Sequence, residues 1–232
     1  SSIGSWNGRA VNYLFSGVQG APASNFAPGS MTSLPTTPVS REAPFIHVDK
    51  KGEFQVFVPH AKNHSAGFDW SVSSRSGKQL SIHSFYIAKP TDSADLINAQ
   101  LKMGKNLILT PGIYELNKSL KVSRPGTVIL GLGLPSLVPM QGTAAIEVAD
   151  VGGVMLSGIT IDAGPVRSNV LLKVGKKNSY AGAPHDPTTL SDIFVRVGGP
   201  RLGQATTSVE VNSNNVILDH SWLWRGDHGT GT

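Results

Sequence analysis

The chain has 232 residues, 39% of them hydrophobic and 15% charged, with 26 glycines, 15 prolines and no cysteine. Lacking cysteine, these residues form no disulfide, cysteine–zinc site or thiol nucleophile. No apolar run approaches the roughly 18–20 residues of a membrane-spanning helix. The formal net charge of +5 is scattered. The densest basic group, Lys173, Lys176 and Lys177, falls in an expected loop, whereas a nucleic-acid partner requires a concentrated basic face.

Residues 1–44 are rich in Ser, Gly, Pro, Ala and Thr, yet include Trp6, Tyr13, Leu14 and Phe15. They are expected to form an extended N-terminal arm rather than a free linker. The start, Ser1-Ser2-Ile3-Gly4, lacks a Met and is expected to be processed or trimmed. Sequons at Asn63-His64-Ser65 and Asn117-Lys118-Ser119 are compatible with a secretory route. Residues 45–88 read as a small β-rich lead-in module. In it Phe45–Val48 and Phe54–Val58 flank the turn Asp49-Lys50-Lys51-Gly52, and Ile82–Ala88 is a third strand. Asp92–Lys102 is the one expected helix, capped by Asp92 or Ser93 and ended by Gly104, with Ala94, Ile97 and Leu101 on one face. It would cap the open end of a solenoid.

From Asn106 onward, strands and turns continue to the end, the last expected strand being Val216–Trp224. Ala145-Ile146-Glu147-Val148 through Leu156 closely resembles Ser208-Val209-Glu210-Val211 through Leu218, with one residue deleted. Leu190-Ser191-Asp192-Ile193-Phe194-Val195 likewise matches Leu156–Ile161. Repetition of this kind means coils that cover one another's apolar side chains. The expectation is an all-β, right-handed parallel β-helix over residues 89–232, with coils in the low to high twenties of residues and an insertion near 175–188. Gly152-Gly153 and Asn214-Asn215 would supply left-handed backbone at a corner. Glu147 and Glu210 share a repeat position and read as a solvent-facing ladder. Since a solenoid needs a cap at each end, further coils are expected, from a second chain or fragment.

Ala88-Lys89-Pro90-Thr91-Asp92-Ser93-Ala94, then Leu107–Leu109, Thr110-Pro111-Gly112-Ile113-Tyr114 and Val128–Gly133, resemble the opening rungs of pectate-lyase-like β-helices. The tail Asp219-His220-Ser221-Trp222-Leu223-Trp224-Arg225-Gly226-Asp227-His228-Gly229 resembles secreted microbial proteins that often carry a discoidin-type domain. These are similar to glycoside hydrolase family 87, the α-1,3-glucanases, and more distantly to family 55, the β-1,3-glucanases. The resemblance implies an inverting glucan hydrolase with catalytic aspartates on successive coils of one face.

Hydrolysis of a glycosidic bond needs a carboxylic acid and a carboxylate, ~6.5–9.5 Å apart for inversion, and equivalent positions on neighbouring coils lie about 4.8 Å apart. Asp227 and Asp219 are the catalytic candidates. Trp222 and Trp224 offer flat faces for sugar, and Arg225, His220, His228, Asp192 and Asp162 are candidate substrate contacts. His47, His60, His64, His83 and His185 show no metal-ligand spacing, so neither metal nor cofactor is expected. The leading expectation is a secreted, endo-acting hydrolase of a 1,3-linked glucan. A polysaccharide lyase and a non-catalytic carbohydrate-binding or structural β-helix are the alternatives.

Overall fold

An apolar side chain in a narrow coil is buried only if equivalent side chains lie above and below it, and the computed structural model shows this stacking. The structure describes residues 12–25, 30–67, 76–179 and 181–226. It divides into two units, residues 1–42 with 59–78 and residues 43–58 with 79–232.

In the first unit β1 (Tyr13–Ser16) pairs in parallel with β2 (Met31–Leu34), so the start of the chain contains sheet as well as extended segments. Then comes β3 (Thr37–Ser40). The expected hairpin is β4 (Phe45–Val48) and β5 (Phe54–Pro59), which lies in the second unit up to Val58. Its turn forms because the Asp49 carboxylate accepts the amides of Lys51 (2.8 Å) and Glu53 (3.0 Å), which hold its pKa below the usual carboxylate value. Strand β6 (Lys62–Ser65) returns antiparallel to β3, and β7 (Gly77–Ser81) joins the hairpin in a three-stranded sheet. The expected strand Ile82–Ala88 is two elements. Ile82–Ser84 is a 3-10 turn capped by the Ser81 hydroxyl, and only β8 (Phe85–Ala88) is extended. Strand β8 belongs to the helix of coils, not to the lead-in, because it pairs with the first coil.

Helix α1 (Ala94–Lys102) begins after Ser93, whose side chain accepts the Leu96 amide at 3.2 Å, and Gly104 lies past its end at φ +92°. Ala94, Ile97 and Leu101 are buried as expected, in one core cluster with Leu107, Leu109, Tyr114 and Leu120. Asn98 supplies what a missing coil would. Its amide donates to the Ser119 carbonyl and its oxygen accepts the Lys121 amide, satisfying a strand edge that otherwise lacks partners.

The first coil carries β9 (Asn106–Leu109), β10 (Ile113–Leu116) and β11 (Leu120–Val122). The second carries β12 (Val128–Gly131), β13 (Ser136–Pro139) and β14 (Ile146–Val148). Then β15 (Met155–Asp162) and β16 (Ser168–Val174) form the third, and β17 (Thr188–Val197) and β18 (Ala205–Val211) the fourth. Strands β19 (Val216–Asp219) and β20 (Trp222–Arg225) open the fifth. All pair in parallel on three faces, in a right-handed β-helix, the hand that parallel crossovers take. Strands β15 and β17 each run through the first two faces.

Tyr86, Leu107, Ile129, Leu156, Leu190 and Leu218 stand one over another on the first face. The repeat Leu156–Ile161 pairs residue for residue with Leu190–Val195, apart from the Gly158–Asp192 corner. The other repeat spans two coils rather than one, because Leu172-Lys173-Val174 lies between Ile146-Glu147-Val148 and Val209-Glu210-Val211. Glu147 and Glu210 are therefore not neighbours. Lys121, Glu147, Lys173 and Glu210 alternate in sign up the third face, which removes the like-charge cost of a pure glutamate ladder. The predicted corner residues Gly153 and Asn215 do adopt φ of +73° and +56°.

Candidate functional site

A strand on the second face points alternate residues inward and outward, and stacking turns each outward position into a column. One column runs Ile113, Ser136, Thr160, Phe194, Trp222. In the next, Asp162, Arg196 and Trp224 follow one another. The upper members of these columns, with Leu134, line a groove of about 360 Å³: Leu134, Thr160, Phe194, Arg196, Trp222 and Trp224. Trp222 is 64% exposed and meets Phe194 edge to face at 6.3 Å. Trp224 is seated by a glycine. At Gly199 (φ +87°) a Cβ would come within 2.4 Å of the Trp224 ring, so only glycine lets the indole lie there. The shared parity of Trp222 and Trp224 thus gives one wall of a groove rather than core packing.

The corner between the first two faces adjoins these columns in sequence. It holds Gly158, Asp192 and His220 on successive coils, at φ +70°, +53° and +50°. Left-handed backbone costs a non-glycine residue of order 1 kcal/mol, and Asp and His tolerate it better than most. The turn at His220 also breaks the expected strand Val216–Trp224 into β19 and β20. It carries polar groups: His220 Nδ1 lies 3.8 Å from Asp192 Oδ1 and 4.0 Å from Asp219 Oδ2. The two carboxylates are thus within about 8 Å of each other, a range that includes both hydrolytic geometries. Both are half exposed, with side chains at 45% and 51%. Beneath Asp219 in register is Ser191, whose buried hydroxyl has no hydrogen-bond partner among the described residues.

Two candidates do not line the groove themselves. Asp162 is buried and both of its oxygens accept from Arg196, at 2.6 Å from Nε and 2.9 Å from an Nη nitrogen. Arg225 has the opposite parity to the tryptophans and stands over the fully buried Val197. It donates to the Ala205 carbonyl at 2.9 Å and takes no part in the groove. Asp227 and His228 lie outside the described residues. The residues the sequence did not single out are Thr160, Phe194, Arg196, Leu134 and Ser191. The register of Leu156–Ile161 on Leu190–Val195, extended by one residue, would have placed Arg196 directly over Asp162. Among the described residues no three His, Cys, Asp or Glu side chains form a group able to hold a metal. No helix among the described residues is long and apolar enough to cross a membrane.

Residues 85–232 match the model of the LAM55 pectate lyase-like domain. An exo-beta-1,3-glucanase of Streptomyces sp. (strain SirexAA-E / ActE) is 44% identical over 231 residues, covering 100% of this chain and 38% of that protein. The structure of sacteLam55A from Streptomyces sp. SirexAA-E superposes with a TM-score of 0.92 at 44% identity, covering 99% of this chain and 42% of that one. An ensemble refinement of a glutamate-to-alanine variant of sacteLam55A in complex with glucose matches equally well, with a TM-score of 0.92. The chain spans about two fifths of the length of these relatives. Of the two resemblances drawn from the sequence, these matches correspond to the β-1,3-glucanases of family 55, the more distant of the pair. They lend no support to family 87.

Proposed function

Because the chain belongs to the LAM55 pectate lyase-like family, we propose that it serves a glycoside hydrolase acting on a β-1,3-linked glucan and provides a glucan-binding face for it. The observation that carries this reading is the groove of Phe194, Trp222 and Trp224 beside a corner bearing Asp192, Asp219 and His220. Aromatic faces take the apolar face of a glucosyl ring, and two carboxylates within bridging distance of one bond can act as acid and base. Asp219 and Asp192 are the candidates on geometry, and Asp227 remains one on sequence. The relative's name, exo-beta-1,3-glucanase, supports exo rather than endo attack. A polymer substrate supports a secreted protein. Leu218 and Leu223, 45% and 48% exposed at the top of inward columns, support a further coil or fragment covering them.

The test is laminarin hydrolysis. Glucose is expected as the released sugar, with Asp219→Asn or Asp192→Asn lowering the rate by on the order of 10²–10⁴-fold. Release of longer oligosaccharides would restore the endo reading. Cleavage of an α-1,3-glucan instead would restore family 87. A second reading, a non-catalytic glycan-binding β-helix, is favoured by the half-exposure of both carboxylates. It predicts binding without hydrolysis in wild type and variants alike.

A further inference from the structure

Among the described residues six line the groove, and Arg196 is the one charged side chain of these. A bare guanidinium among aromatic rings would be a receptor for carboxylate or sulfate, through two parallel N–H donors. Here two of the donors are already occupied. Asp162 lies directly beneath Arg196 in register and accepts from it at 2.6 and 2.9 Å. The acid side chain is 6% exposed and the arginine 36%, so the anion sits under the cation, where solvent screens it poorly. The remaining lining is Thr160, Leu134 and three aromatic rings, none of which carries charge.

We propose that Asp162 sets the groove for neutral glycans and against acidic ones, by cancelling the charge of Arg196 from below. This rests on the reading of the groove as a glucan site and names its substrate class. Asp162 is then a specificity-determining residue that touches no sugar. Its role explains why an aspartate is buried on a face that binds ligand. It also argues against a lyase of uronate polymers at this groove, since no free cation lines it among the described residues.

Asp162→Asn keeps the shape of the side chain and removes its charge. The probes are laminarihexaose and the same oligomer carboxymethylated, titrated by calorimetry at low and at physiological salt. The wild type is expected to bind the neutral oligomer at least about tenfold more tightly, and its weak binding of the acidic one is expected not to fall further with salt. In Asp162→Asn the acidic oligomer is expected to gain about tenfold at low salt and to lose that gain as salt rises, with the neutral oligomer within about threefold. Asp192 and Asp219 also bear negative charge nearby but are unchanged, so the difference reports Asp162 alone. Arg196→Gln is the companion variant: with the cation gone, the acidic oligomer must gain nothing. An unchanged ratio in Asp162→Asn overturns the proposal. So does a wild type that binds both oligomers equally, a result independent of whether the variant folds. A wild type that binds neither removes the glucan reading itself, and this inference with it.

Discussion

Replacing Trp222 by Ala is expected to weaken binding of laminarihexaose by about 30-fold, the loss of an aromatic anchor worth some 2 kcal/mol. The same change is expected to leave stability nearly untouched, because Trp222 is 64% exposed and surface substitutions fall within about ±0.5 kcal/mol. This separation of binding from stability is the point of the experiment. Were Trp222 an ordinary packing residue of the second face, its loss would lower the melting temperature and leave affinity alone. Trp222→Phe keeps a ring and the edge contact with Phe194, so it should recover part of the affinity. Isothermal calorimetry with a parallel thermal melt distinguishes the cases. A loss below about threefold in Trp222→Ala would detach the groove from glucan binding.

The largest effect on stability is expected at Leu156, which has no exposed surface and sits in the middle of the column Tyr86, Leu107, Ile129, Leu156, Leu190, Leu218. Leu156→Ala removes side-chain volume between two coils whose strands are fixed by ladder hydrogen bonds. The cavity therefore cannot collapse, and the expected cost is about 3–5 kcal/mol, the upper part of the usual range. Leu218→Ala is the contrast. The same residue type in the same column, 45% exposed at the last described coil, should cost less than about 1.5 kcal/mol in these 232 residues without the further coil proposed to cover it. Urea unfolding of both variants measures the difference. Equal costs would mean that Leu218 is covered in solution.

The β-helix was legible because its physics is repetitive. Leu156–Ile161 and Leu190–Val195 carry the same inward apolar positions, and the structure pairs them in that register. The corner at Gly153 and Asn215 was legible for a similar reason, since few residue types tolerate positive φ. The second face was harder to read. Strands β10 and β13 give little strand signal, because Pro111-Gly112 precede β10 and Pro135 and Pro139 bracket the short apolar pair of β13. The break at His220 was invisible because it lies between the apolar stretches Val216–Leu218 and Trp222–Trp224, which read as one strand, and only the stacked corners at Gly158 and Asp192 make it necessary. At the site, Trp222 and Trp224 stand out by their shared parity, while Arg196 and Phe194 do not. Their role appears only once β20 is laid over β17. Asp162 was found for its chemistry but is held by Arg196, a pairing between coils that no local motif signals.

The most direct test of the glucan site is which indole signals move when glucan binds. The sequence has four tryptophans, Trp6, Trp70, Trp222 and Trp224, so the indole N–H region of a nitrogen–proton correlation spectrum is simple and can be assigned with single Trp→Phe variants. Titration with laminarihexaose is predicted to shift Trp222 and Trp224, and titration with cellohexaose, its β-1,4 counterpart, to leave both in place. If those two signals stay still in laminarihexaose, or move equally in both sugars, the groove on the second face is not a β-1,3-glucan site.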